Sequence, residues 1–371
     1  MSDDDKQPSE AAQRVLDGTA WTEFCDRLKA AGNHILSDAA PADPLNRAEG
    51  FRYLTRLMRC SLEAFVEYAD PLYPVLRRMV HETAKIGADN PDNWYENAPL
   101  HGDHVYRIRG TRGTVHYLSL AVQAGHYGSG GGNMPPVGAI EAKDLHVEQD
   151  GTLEITISRE KHEGNWLPLP EGDALLVVRQ TFLDRATEQR AKLKIERVGG
   201  PEHPEALSAE ALDKGLTTAA NMVNMCAMIF PGWANGFQKH VNRLPKFDPN
   251  MARAFGGDPN IVYYHSYWRL AEDEALVIDA APPACDYWNF QLNNHWMESL
   301  DYRYFNVVIN SRGAQLNEDG SVRVVVAHRD PGVPNWLSTA GHVDGTMCWR
   351  WVRAEDDPEP ETRVVKLADL S

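Results

Sequence analysis

Between Asp286 and Trp296 the chain reads Asp-Tyr-Trp-Asn-Phe-Gln-Leu-Asn-Asn-His-Trp, with polar and apolar side chains in alternation. A strand points successive side chains to opposite faces. Trp288, Phe290 and Leu292 then face one way, and Tyr287, Asn289, Gln291, Asn293 and His295 the other. A row of phenol, amide and imidazole groups is dense in donors and acceptors. It could bind a hydroxylated ligand and, through His295, move a proton. The competing reading is a solvated sheet face, although such faces usually carry Lys, Glu and Thr. Directly downstream come Glu298, Asp301 and Arg303. Glu298 and Asp301 could act as an acid/base pair, since hydrolysis or elimination needs one carboxyl kept protonated and one ionised. Arg303 would steady an anion. A polar loop with a surface carboxylate–Arg pair is the alternative. Upstream, Tyr263-Tyr264-His265-Ser266-Tyr267-Trp268-Arg269 is a second aromatic, His-bearing strand, as suited to a core as to a ligand platform.

Other chemistries find little support. The 14 histidines include no H-x-H or H-E-x-x-H pair, so neither a metal site nor any other cofactor is expected. No G-x-S-x-G marks a serine nucleophile. The five cysteines (Cys25, Cys60, Cys226, Cys285 and Cys348) show no C-x-x-C spacing and read as reduced thiols of a cytoplasmic protein. Cys285 beside Asp286 has no recognisable catalytic partner. Gly128-Ser129-Gly130-Gly131-Gly132 lacks the G-K-[ST] ending of a phosphate loop and reads as a flexible connection.

The elements that must position these groups occur twice. Asp150-Gly151-Thr152 leads to Asn165-Trp166-Leu167 and Arg179; Asp319-Gly320-Ser321 leads to Asn335-Trp336-Leu337 and Arg350. Upstream, Asn90-Pro91-Asp92 answers Asp258-Pro259-Asn260 with Asn and Asp exchanged. A nearly constant offset across these anchors implies two related domains in tandem. Asp-Gly marks tight turns between strands. Arg179 and Arg350 sit in apolar strands, where a buried Arg would need a carboxylate partner. Because both copies share them, they read as structural, and the chemistry is expected on the unshared 286–303 stretch.

Periodicity places helices before residue 90, including one over Pro74–Ile86, and a long helix over about Ser208–Asn242 that Pro231 should end or kink. Residues 1–10 read as disordered. Short strands with turn signals fill the rest, among them Val105–Arg109, Thr114–Gln123, Leu145–Val147, Leu153–Ser158 and Ala174–Phe182, and the acidic tail offers one candidate strand, Thr362–Leu367. The expected organisation is a helical region (1–89), a first β-sandwich (90–200), a helical connector (201–257) and a second β-sandwich with an acidic tail (258–371). The fold class is mainly β with helical additions: two tandem antiparallel, jelly-roll-like sandwiches, each preceded by helices.

The series Ser311-Arg312, Asp319-Gly320-Ser321, strand, Asn335-Trp336-Leu337, strand with Arg350 resembles the family called domain of unknown function 1214, and the first copy repeats it around Asp150 and Asn165. The second copy has Ser338-Thr339 where the family usually shows Pro. The resemblance implies antiparallel jelly-roll domains and brings no agreed reaction.

A formal charge of −16 argues against nucleic acid and acidic membrane surfaces as partners. No apolar run reaches the ~18 residues of a membrane span. The acidic start has neither the basic residues nor the apolar stretch of a secretory signal. Two functions remain in view. One is a metal-independent acid/base enzyme, a hydrolase or a hydratase/dehydratase-type lyase, acting on a small hydroxylated or partly apolar molecule. Its site would lie on the second copy or between the copies. The other is a non-catalytic protein binding sugar- or lipid-like ligands. Sandwich edges also leave room for a homo-oligomer.

Overall fold

The computed structural model describes residues 8–129 and 133–370. The start at 1–7 and the last part of the glycine-rich connection, 130–132, lie outside the described residues. Helix α1 (Glu10–Leu16) begins inside the segment expected to be disordered, because the Ser9 hydroxyl caps it by accepting the Ala12 N–H at 3.1 Å. Helices α2 (Thr19–Ile35) and α3 (Pro44–Leu62) follow. Asp43 caps α3 through the Asn46 N–H at 3.0 Å, and Pro44 fits its first turn, where no N–H is needed. The chain then winds into a π-helical turn, Glu63–Glu67.

The helix expected over Pro74–Ile86 does not form. Its backbone is used elsewhere: Arg77 exchanges both hydrogen bonds with Asn97, and His81 does so with Ala84. The apolar positions Met79 and Ile86 instead pack into the helical core as an extended segment.

Eight strands make the first copy: β1 (Asn93–His101), β2 (Tyr106–Thr111), β3 (Tyr117–Ala124), β4 (Pro136–Glu141), β5 (Thr152–Ser158), β6 (Trp166–Pro168), β7 (Asp173–Thr181) and β8 (Lys192–Arg197). Helices α4 (Ala209–Phe237) and α5 (Pro249–Ala254) connect to the second copy. This comprises β9 (Ile261–Arg269), β10 (Glu274–Ala280), β11 (Tyr287–Leu292), β12 (Val308–Asn310), β13 (Val322–Ala327), β14 (Trp336–Ser338), β15 (Asp344–Val352) and β16 (Glu361–Lys366). Helix α4 runs through Pro231 rather than ending there; Pro231 is buried, and tertiary packing outweighs one lost backbone bond. Leu145–Val147 forms no strand.

The sheet orders are β1-β7-β3-β4 with β6-β5-β2-β8, and β9-β15-β11-β12 with β14-β13-β10-β16. Adding eight to each strand of the first copy gives the second. Pairing is antiparallel except at the short β6 and β14, which run parallel to β5 and β13 in both copies. Each pair of sheets encloses its own core, one around Leu118, Leu120 and Leu176, the other around Phe290, Val324 and Trp349. Gly151 and Gly320 turn the equivalent hairpins with φ of 84° and 83°, a region that favours glycine. A third core joins α3 and α4 to Trp296. No helix among the described residues is long and apolar enough to cross a membrane.

Candidate functional site

Strands β3, β11 and β15 are buried almost throughout, on both faces. One face of each sheet covers its own core; the other faces the opposite copy, which explains the polar row on β11. The lead-in to each first strand crosses between copies. Asn90 Oδ1 accepts the Asn289 amide at 2.9 Å, and Asp92 Oδ2 accepts the Tyr287 hydroxyl at 2.7 Å and the Asn310 amide at 3.1 Å. In return, Asp258 Oδ2 accepts the Ser119 hydroxyl at 3.1 Å, and Glu141 Oε1 accepts the Asn260 amide at 2.6 Å as well as the Tyr117 hydroxyl. The Asn/Asp exchange seen in the sequence is therefore a reciprocal one. Each junction pairs one carboxylate with one amide.

A cavity of ≈ 150 Å³ lies where the two polar sheet faces and α4 meet. Arg179 on β7 and Arg350 on β15 line it from equivalent places, each opposite a tyrosine of the neighbouring strand: Tyr95 faces Arg179, and Tyr263 faces Arg350. Phe230 and Trp233 of α4, with Phe247, add an aromatic wall. Arg350 has no carboxylate partner among the described residues, contrary to expectation. Its Nη1 donates to Asn289 Oδ1 at 3.2 Å and Gln291 Oε1 at 2.5 Å, and its Nη2 to the Ala88 carbonyl at 2.5 Å. Arg179 donates through Nη2 to the Gly256 carbonyl at 2.6 Å; its Nη1 is buried and ion-paired with Asp258 Oδ2 at 3.9 Å, without a hydrogen-bond partner among the described residues. Guanidinium does not lose its proton in proteins, so both stay cationic. Asp89 also lines the cavity but gives its carboxylate to the Ser299 N–H and hydroxyl.

His265, on β9, stacks between Tyr263 and Phe237, with ring centroids 5.7 and 5.5 Å away. Its Nδ1 is buried without a hydrogen-bond partner among the described residues. Burial, helped by the Arg350 charge, pushes its pKa down to about 3, so the ring is neutral at ordinary pH. Burial likewise pushes the Tyr95 and Tyr263 phenols up, keeping them protonated. The cavity thus offers two fixed positive charges, neutral donors and apolar walls. Among the described residues no group of three or more His, Cys, Asp or Glu side chains is placed to hold a metal ion.

The residues singled out in the sequence divide. Tyr287 lines the cavity; Asn289 and Gln291 stand behind it and hold Arg350. Asn293 accepts from Gln291 Nε2 at 2.5 Å. Beyond Leu292 the chain leaves the strand, and His295 points into the helical side of the molecule, where Nδ1 meets the Tyr267 hydroxyl at 3.1 Å and burial lowers its pKa to about 4. Glu298 is fully buried against α3, ion-paired to Arg56 at 2.5 Å, with its pKa raised by burial. Asp301 and Arg303 do not join it. They form a fork at the surface, 2.9 and 2.7 Å, and the Arg303 hydrogen bond lowers the Asp301 pKa. Glu298 and Asp301 are thus not an acid/base pair in one cleft, because each carboxylate is held by its own arginine. None of His295, Glu298, Asp301 and Arg303 lines the cavity.

Arg179 and Arg350 were passed over as structural because they recur. The overlooked signal is a charge at the same place in two apolar strands, each opposite a tyrosine.

Residues 92–182 and 271–355 both match a family described as "Protein of unknown function (DUF1214)". A crystal structure of an uncharacterised protein from Burkholderia cenocepacia shares 52% identity, over 96% of this chain and 99% of that one, with a TM-score of 0.95. The chain belongs to the DUF1214 family. A Vibrio parahaemolyticus protein is 10% identical over 85% of this chain and 98% of its own, with a TM-score of 0.49. No curated protein matches. The two family segments carry Arg179 and Arg350, whereas Tyr263, His265 and all the α-helices fall outside them. Within the family pattern, then, the cationic pair belongs to the repeated unit, and part of the aromatic wall belongs to what surrounds it.

Proposed function

We propose that the cavity between the copies binds a small molecule with a carboxylate-like anionic group and a partly apolar body. The observation that carries this reading is Arg179 Nη1, buried with no hydrogen-bond partner among the described residues and 3.9 Å from its paired Asp258 carboxylate, in an aromatic-lined cavity that Arg350 also lines. A buried donor without a partner costs about 1–3 kcal/mol, and an anion there would form charge-assisted hydrogen bonds that remove the penalty. Aromatic walls suit the apolar remainder of such a ligand.

Titration calorimetry and thermal unfolding with benzoate and benzamide test the reading. Benzoate should bind and stabilise the fold, by about 2.7 kcal/mol at a hundredfold excess over Kd. Benzamide, similar in shape and uncharged, should not, and Arg179→Met should abolish the benzoate effect. Equal binding of benzoate and benzamide, or benzoate binding that survives Arg179→Met, would end the proposal.

A metal-independent acid/base reaction, hydrolysis or addition and elimination of water, is the second reading. The observation favouring it is the free Nδ1 of neutral His265, stacked on the Tyr263 phenol at the cavity wall. Turnover that persists in both His265→Phe and Tyr263→Phe would refute it. Five unpaired thiols are in keeping with a cytoplasmic setting, which cell fractionation checks.

A further inference from the structure

The cavity shares part of its wall with a neighbouring space. Met79, Asn97, Tyr127 and Leu175 also line a second, larger space of ≈ 620 Å³. This cleft runs between the π-helical turn, the paired ends of β1 and β7, and the N-terminal half of α4. Its inner surface carries Phe65, Val66, Leu100 and Leu212; its charges include the exposed Lys214–Asp173 pair at 3.6 Å and the mostly buried Arg77, paired with Glu63 at 3.2 Å. The narrowness of the wall is built in. Gly215 lets the Phe65 carbonyl approach α4 so closely that a Cβ at Gly215 would lie 2.5 Å from it. A π-turn is uncommon and is found disproportionately at functional sites.

We propose that the ligand is an elongated amphipathic monoanion. Its head group lies against Arg179 and Arg350, and its unbranched apolar tail passes the Met79–Leu175 throat into the cleft. Arg179 and Arg350 stand together at the inner end, whereas the one mostly buried guanidinium of the cleft, Arg77, is held by Glu63 at 3.2 Å, so a ligand with one anionic end and one apolar end matches the charge distribution. This inference rests on the reading of the inner cavity as an anion site.

Calorimetry with straight-chain carboxylates from butanoate to dodecanoate tests it on the full chain. Affinity should rise about fourfold per added methylene until the cleft is filled, as burial of each CH₂ predicts. Ala211, exposed on α4, lines the cleft. Ala211→Trp should weaken the long acids at least tenfold and leave butanoate and benzoate unchanged, with circular dichroism confirming the fold. Leu207→Asp, at the 71% exposed mouth, should act in the same direction. Affinity that is independent of length yet lost in Arg179→Met would overturn the tail and leave the head-group site standing. Failure of every acid to bind would overturn both.

Discussion

Arg179 and Arg350 are the same residue of the repeat put to different use. Arg350 donates to Asn289, Gln291 and Ala88, whereas Arg179 donates to Gly256 and sets its Nη1 3.9 Å from Asp258. Arg350→Met should therefore cost about 3 kcal/mol or more in urea unfolding, because each buried acceptor stripped of its donor costs about 1–3 kcal/mol. Arg179→Met should cost a comparable amount, because it removes the bond to Gly256 and leaves the Asp258 carboxylate buried without its cation. Histidine protonation gives a second expectation. His265 and His295 have folded pKa values depressed to about 3 and about 4. Below the free imidazole value of about 6.5 the unfolded chain takes up protons that the native state refuses, so stability falls with pH at about 1.4 kcal/mol per unit for each ring. The fall continues until the folded values are reached. His265→Phe should remove about 2 kcal/mol of the loss between about pH 7 and pH 5, measured by urea unfolding at both. An unchanged difference would mean that the ring is hydrated and titrates normally. The residue row on β11 was legible because alternation fixes which side chains share a face. What faces them was not, since Asp89, Asn90 and Asp92 come from a segment some two hundred positions away.

At the level of elements, strands and long helices followed from periodicity, but the Pro74–Ile86 segment did not. Its apolar spacing fits a helix, yet its backbone bonds go to β1 and its side chains to the helical core. Gly50, inside α3, sets propensity against packing in the same way. Alanine is worth about 1 kcal/mol more than glycine in a helix interior. However, a Cβ there would lie 2.5 Å from the Trp296 ring and 2.7 Å from Ile35 Cγ2. Both are fully buried, so neither yields cheaply. Overpacking of this kind costs about 1–3 kcal/mol, and Gly50→Ala should lower the unfolding midpoint rather than raise it. A raised midpoint would show that α3 can shift away from the second copy. Because α3 also brings Arg56 to Glu298, the position of Glu298 was not deducible from its own neighbours in sequence.

For the molecule as a whole, duplication was visible in the sequence, and the joining of the copies face to face was not. Their contact surface depends on complementary junctions. Asn260→Asp would set a second carboxylate against Glu141, with the Arg353 guanidinium and Asp286 close by. Like charges raise carboxyl pKa values, so the native state would bind extra protons. The variant should lose about 1–3 kcal/mol at neutral pH and recover part of it as the pH falls through the acid range. Glu141→Gln on that background should restore stability at neutral pH, as a double-mutant cycle would register.

That complementarity also bears on how the halves pair. A homodimer made of first copies would set Asp92 against Glu141, repelling, and one made of second copies would set Asn260 against Asn310, with no charge at all. Only the unlike couple meets acid with amide at both the Asp92–Asn310 and the Asn260–Glu141 contacts. The halves fit as a lock and its own key. Splitting the gene should yield fragments that recombine with each other in preference to their twins.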